Sequence, residues 1–146
     1  MMRNLIRALL PVAVLLASGV GCDSDSGSNS GPAPTYTISG TFIKSGVANG
    51  VLGYAKLVAW GAEGDAPAIC WTATAPFSGG TAAMSLSGVA GGSYYGYAFI
   101  DVNGNAAGGA TSMPDAGDWV TDGHGEVVIT SDTTIDTPEI AWVPYP

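Results

Sequence analysis

Tyr94-Tyr95-Gly96-Tyr97-Ala98-Phe99-Ile100 decides the fold class. Successive side chains of an extended chain point to opposite faces. Tyr95, Tyr97 and Phe99 therefore share one side, and Tyr94, Gly96, Ala98 and Ile100 share the other. Neither side is suited to water, so this strand is expected at the centre of a sheet with both faces covered. Working outward, 36–43 (YTISGTFI) alternates Tyr36, Ile38, Gly40 and Phe42 with Thr37, Ser39, Thr41 and Ile43, and Gly40 marks a bulge or a close approach of another backbone. Further strands are expected at 51–60, 68–74, 81–87, 125–130 and 138–143, each bounded by Gly, Pro or Asx residues. No segment after residue 22 repeats its apolar residues at three- and four-residue spacing.

Seven short strands with turn signals between them predict an all-β fold, an antiparallel seven-stranded β-sandwich of the immunoglobulin-like kind over residues 35–146. A closed barrel is the alternative. About 112 residues bury roughly 60–70% of their unfolded surface, enough for stability without disulfide or metal. The chain has 146 residues, room for one ordinary domain.

The run from Met84 to Asn105, MSLSGVAGGSYYGYAFIDVNGN, resembles the F-x-L-x-G-V-P-x-G-x-Y-x-V-x-A-F-x-D-x-N-G centre of transthyretin-like sandwiches, a group that includes carboxypeptidase regulatory-like domains. Ile38-Ser39-Gly40-Thr41 is similar to their first strand. The resemblance implies a strand, a tight turn at 88–93, and a central strand that delivers an Asx-rich loop to one end of the sandwich. Ala90 stands where the family has Pro and Gly96 where it has Val, which softens the turn.

Arg3 and Arg7 precede the apolar run Ala8–Ala17, and Ser18-Gly19-Val20-Gly21-Cys22 follows. A charged start, an apolar run of ten and small residues read as a secretory signal over 1–21. The run is too short to span a bilayer, which takes about 20 residues. Cys22 after small residues resembles the lipobox of bacterial lipoproteins, although Gly19 and Val20 depart from its usual Leu and Ala or Ser. That resemblance implies acylation of Cys22 through a thioether, with palmitate-type chains. Residues 23–34, DSDSGSNSGPAP, hold no large apolar side chain and are expected to be disordered. With Cys22 they make a tether over 22–34, with a reach of roughly 20 Å. Asp23 resembles the residue that retains lipoproteins at the inner membrane in some Gram-negative bacteria, a rule that varies among lineages. The expected location is the cell envelope, attached to membrane by lipid, with the outer membrane favoured. If Cys22 is acylated, Cys70 has no partner in the chain, and its place between Ile69 and Trp71 suits a buried, inert thiol.

After Arg7 only Lys44 and Lys56 stand against all twelve acids, a net charge of −10. Nucleic acid and anionic lipid surfaces are excluded as electrostatic partners, since both need clustered cations.

The long loop 101–118, DVNGNAAGGATSMPDAGD, is the candidate site. Asp101, Asn103 and Asn105 alternate as in the first half of a calcium loop, and Asp115 and Asp118 add hard oxygen ligands. Ala106 and Ser112 stand where an EF-hand would have Gly and Glu. The competing reading, which the pattern favours, is a turn at Asn103-Gly104 whose Asx side chains bond local backbone. Carboxylates at Asp101, Asp115 and Asp118 also frame an alternative function, a hydrolase or metal-dependent enzyme of the envelope. No nucleophile, base and orienting group can be assembled, however, and G-x-S-x-G, Walker, C-x-x-C and H-E-x-x-H patterns are missing. His124, alone in a turn composition, reads as a solvent-exposed loop residue. Trp119, following Asp118, is the aromatic singled out for stacking on a glycan or protein partner. The sequence thus leads to a non-catalytic binding or structural module with no required cofactor.

Overall fold

The computed structural model describes residues 33–59, 69–106, 112–122 and 125–146, apart from the side chains of Ile69 and Cys70. The expectations for the signal 1–21, Cys22, the tether up to residue 32, Trp60, the Cys70 thiol and His124 lie outside the described residues.

Nine strands form among the described residues: β1 (Thr35–Ile43), β2 (Leu52–Ala59), β3 (Ile69–Pro76), β4 (Thr81–Ala90), β5 (Gly92–Asp101), β6 (Trp119–Thr121), β7 (Gly125–Ile129), β8 (Thr133–Thr134) and β9 (Trp142–Pro144). The count exceeds seven because β6 and β8, of three and two residues, are too short to carry an alternation. The segment expected as one strand at 138–143 divides into a 3-10 turn, Glu139–Ala141, and β9.

The strands make two packed sheets. One is ordered β4-β1-β8; the other is β3-β2-β5-β6-β9, with β7 also paired to β5. All ladders are antiparallel except β1·β8, where Ile38 and Ser39 run parallel to Thr133 and Thr134. That parallel pair corrects the fully antiparallel expectation. It exists because residues 130–137 return alongside β1 instead of turning back on β7.

Strand β5 is central, as its two apolar faces require: it pairs with β2 along one edge and with β6 and β7 along the other. Between the sheets, Ile38 faces Leu86 and Phe42 faces Ala82 across the β1·β4 ladder, and these pack on Leu57, Trp71, Ala98 and Ile100 of the second sheet. Two edge-to-face aromatic pairs fix the ends of this layer: Trp71 on Tyr94 at 5.4 Å and Phe42 on Trp142 at 5.1 Å. Strand β4 runs past the turn expected at 88–93. Ser87 and Gly88 together oppose Thr37 between the pairs Ile38·Leu86 and Tyr36·Val89, a bulge that places Gly88 at φ +74°. The chain changes sheets at Gly91, between β4 and β5.

The outer face of β5 is covered as well. Phe99 stacks flat on Tyr54 of β2, centroids 4.4 Å apart, and both rings are fully buried. Ser112 and Met113, from the chain between β5 and β6, bond to Lys56 and Tyr97 on this face.

Candidate functional site: the β5–β6 loop

Strand β5 ends on Asp101 with its carboxylate on the outer face, the side shared by Phe99 and Tyr97. Asp101 Oδ1 accepts the amides of Gly104 at 2.8 Å and Asn105 at 3.2 Å, and Oδ2 accepts that of Ala106 at 3.1 Å. An acceptor at the end of a strand that satisfies three following N–H groups folds the chain into an Asx turn, and Gly104, at φ +72°, supplies the left-handed position. Across the loop, Asp118 Oδ1 accepts Val102 N–H at 2.9 Å and Oδ2 accepts Asp115 N–H at 3.1 Å. Asp118 is completely buried and Asp101 nearly so, at 3% exposure. Asn103 donates its side-chain amide to Asp115 Oδ1 at 2.7 Å, and Asn105 donates to Asp115 Oδ2.

The structure thus gathers all five candidate ligands, Asp101, Asn103, Asn105, Asp115 and Asp118, into one hydrogen-bonded unit. Asp101 and Asp118 hold backbone amides, and the two Asn amides turn nitrogen, not oxygen, toward Asp115. A hard cation would need both amides reversed so that three oxygens met at one point. Among the described residues no group of three or more His, Cys, Asp or Glu side chains is arranged to hold a metal ion. Asp101→Ala is expected to cost about 2–3 kcal/mol in urea unfolding without any added cation, through three amides left without their acceptor. A loss that appeared only with calcium present would instead make the carboxylate a cation ligand.

Beneath this loop lies a group the sequence reading passed over. Lys56 of β2 points to the outer face, is 1% exposed, donates from Nζ to the carbonyl of Ser112, and lies 5.7 Å from the centre of the Phe99 ring. Ser112, noted in the sequence for lacking a calcium-binding carboxylate, contributes its backbone oxygen instead. Tyr97 caps the arrangement, its hydroxyl donating to Met113 Sδ at 3.4 Å. Burial pulls the Lys56 ammonium down from the usual lysine range to about 8. The one available signal was a lysine inside an otherwise apolar strand, VLGYAKLVAW, in a chain with two lysines in all.

A lysine whose pKa is depressed by folding holds fewer protons in the native than in the unfolded state across the intervening pH range, so stability rises with pH there. The window runs from about pH 8 toward the normal lysine value. Tyr54, Tyr94 and Tyr97 act in the opposite sense: burial raises each hydroxyl's pKa, with Asp101 and Asp118 adding to the effect at Tyr54, so stability falls once unfolded tyrosine ionises near pH 10. Urea unfolding is therefore expected to show a gain of order 2 kcal/mol between pH 7.5 and about 10, then a decline. Lys56→Met should flatten the rise and leave the decline; a rise that survives the substitution assigns it to another group.

Trp119 lies on the inner side of β6. It is half-buried against the core, and the Lys44 ammonium sits 4.1 Å from its ring centre. Lys44 is itself fixed by a 2.8 Å ion pair to Glu139, whose carboxyl is held below the usual range by that bond and by the Ser45 amide. The ring proposed from sequence for stacking is thus covered on one face by a cation.

Comparisons with protein-family models, with curated proteins and with solved structures found no match. The loop's described carboxylates, Asp101, Asp115 and Asp118, are engaged with amides of the same loop.

Proposed function

We propose that the chain is a lipoprotein precursor of the bacterial cell envelope: the signal over 1–21 is removed, Cys22 carries the acyl chains, and 22–34 tether a transthyretin-like sandwich that acts by binding or as a structural element. The observation that carries this reading is the order Arg3 and Arg7, the apolar run Ala8–Ala17, small residues and Cys22, followed by a polar stretch with no large apolar side chain. The domain's first strand begins at Thr35, directly after the proposed tether. A net charge of −10 beyond Arg7 favours acyl chains over basic residues as the means of attachment to the envelope, the outer membrane in preference. The partner is a protein or glycan reached from that surface. A hydrolase using Asp101, Asp115 and Asp118 has weaker support, because these side chains accept or exchange hydrogen bonds within the loop.

Fractionation tests the reading. Wild-type chain is expected in the membrane fraction and to stay there through a high-salt wash, whereas Cys22→Ser should move to the soluble fraction. Equal distribution of the two forms would refute attachment through Cys22.

A further inference from the structure

A cavity of about 240 Å³ lies between the two sheets. Its origin is a mismatch of side-chain size. Stacked sheets stand roughly 10 Å apart, a gap that side chains from both must fill. In the β2·β5 ladder, however, Ala55 stands directly opposite Ala98, so the middle of the second sheet presents two methyl groups. Leu57, Met84 and Leu86 surround the resulting space, and Thr121 and Thr137 mark its rim beside Ile135. The space reaches the edge of the sandwich between Thr121 of β6 and the 135–137 segment beside β1. Ile135 on the rim is 40% exposed.

We infer that this inter-sheet cavity is a binding site for a single uncharged, largely hydrocarbon molecule. An apolar cavity of about 150 Å³ excludes water and takes up benzene, so by proportion this one accommodates about ten heavy atoms. The ligand is neutral because, among the described residues, no charged group faces the cavity. The Lys44 ammonium is bonded to Glu139, and that of Lys56 lies on the opposite face of its sheet against Ser112. An anionic amphiphile would also meet a domain carrying eight more acids than bases. Hydroxyls at the rim suit at most a hydroxyl head on the ligand, with the hydrocarbon body inside. The inference gives the proposed binding module a ligand class, and it is tested without the lipid anchor so that each can fail alone.

The experiment uses the full chain carrying Cys22→Ser, titrated with naphthalene, with 2-naphthol and with the 2-naphthoate anion, by calorimetry and thermal melting. Naphthalene and naphthol are expected to bind with one-to-one stoichiometry and raise Tm, and naphthoate to bind at least tenfold more weakly. Ala98→Leu fills the space and should abolish the Tm response. Ala55→Val, a smaller change, should weaken binding at least threefold and serves as the deciding variant if Ala98→Leu does not melt cooperatively. No response of the Cys22→Ser chain to the neutral probes, or equal binding by the cooperatively melting filled variant, overturns the site. Equal or tighter binding of naphthoate overturns its neutrality.

Discussion

Gly40→Ala is expected to be the most damaging small substitution in the described part of the chain, costing about 3–4 kcal/mol in urea unfolding. A methyl group on Gly40 would sit 1.9 Å from the carbonyl oxygen of Ile135 and 2.8 Å from its carbonyl carbon. Both partners are backbone, so no rotamer relieves the contact, and the segment after β7 must lift off β1. The lift would break the bonds from Ile135 N to the Ser39 oxygen and from Thr137 N to the Thr41 oxygen, and from Thr41 N to the Asp136 carboxylate. At roughly 1 kcal/mol each, these three account for most of the loss. Gly53→Ala is the control. Its added methyl meets Met84 Cε at 2.9 Å, the end of a flexible side chain, and the buried Phe42 and Phe77 rings at 3.0 and 3.1 Å, all side chains and none backbone, and about 1–2 kcal/mol is expected. Accelerated amide exchange at Ile135 and Thr137 in Gly40→Ala would locate the damage. Equal losses for the two glycines would show that the close approach at Gly40 is not what holds β8.

Removal of the Asp118 carboxylate should be nearly as costly, about 3 kcal/mol for Asp118→Ala. The side chain is fully buried and accepts Val102 N–H and Asp115 N–H with separate oxygens, tying the start of the loop to its end. Burying a carboxylate is unfavourable in itself, so part of the lost bonding is offset when the charge disappears. Asp118→Asn keeps one oxygen acceptor and should fall between wild type and Ala. Because the same loop carries Ser112, loosening it should also release the hold of the Ser112 carbonyl on Lys56. Asp118→Ala is therefore expected to return the Lys56 pKa toward the ordinary lysine range, read by NMR of its side chain. Destabilisation without movement of that pKa would separate the carboxylate's role from the cover.

These two positions also mark how far the sequence could be read. Central placement of β5 was legible because Tyr95, Tyr97 and Phe99 alternate with Tyr94, Ala98 and Ile100, so both faces demanded cover whatever the rest of the chain did. Gly40 could be narrowed to a bulge or a close approach. The choice between them depends on Ile135, 95 residues away, and no local pattern carries that information. The parallel β1·β8 pair was invisible for the same reason, since a two-residue strand such as Thr133–Thr134 has no periodicity. Asp101, Asn103, Asn105, Asp115 and Asp118 were recognisable as one group. Whether their oxygens face an ion or the backbone is set by turn geometry, which composition does not encode. The burial of Lys56 was not legible because a strand's outer face looks solvent-exposed until chain from elsewhere packs on it.

The proposed attachment is a folded body held outside the cytosol by lipid on one cysteine. Mass spectrometry of the N-terminal peptide from protein purified out of bacterial membranes tests it most directly. The expected chain starts at Cys22 and carries a diacylglyceryl thioether there. An N terminus at another residue, or a Cys22 peptide of unmodified mass, would contradict it.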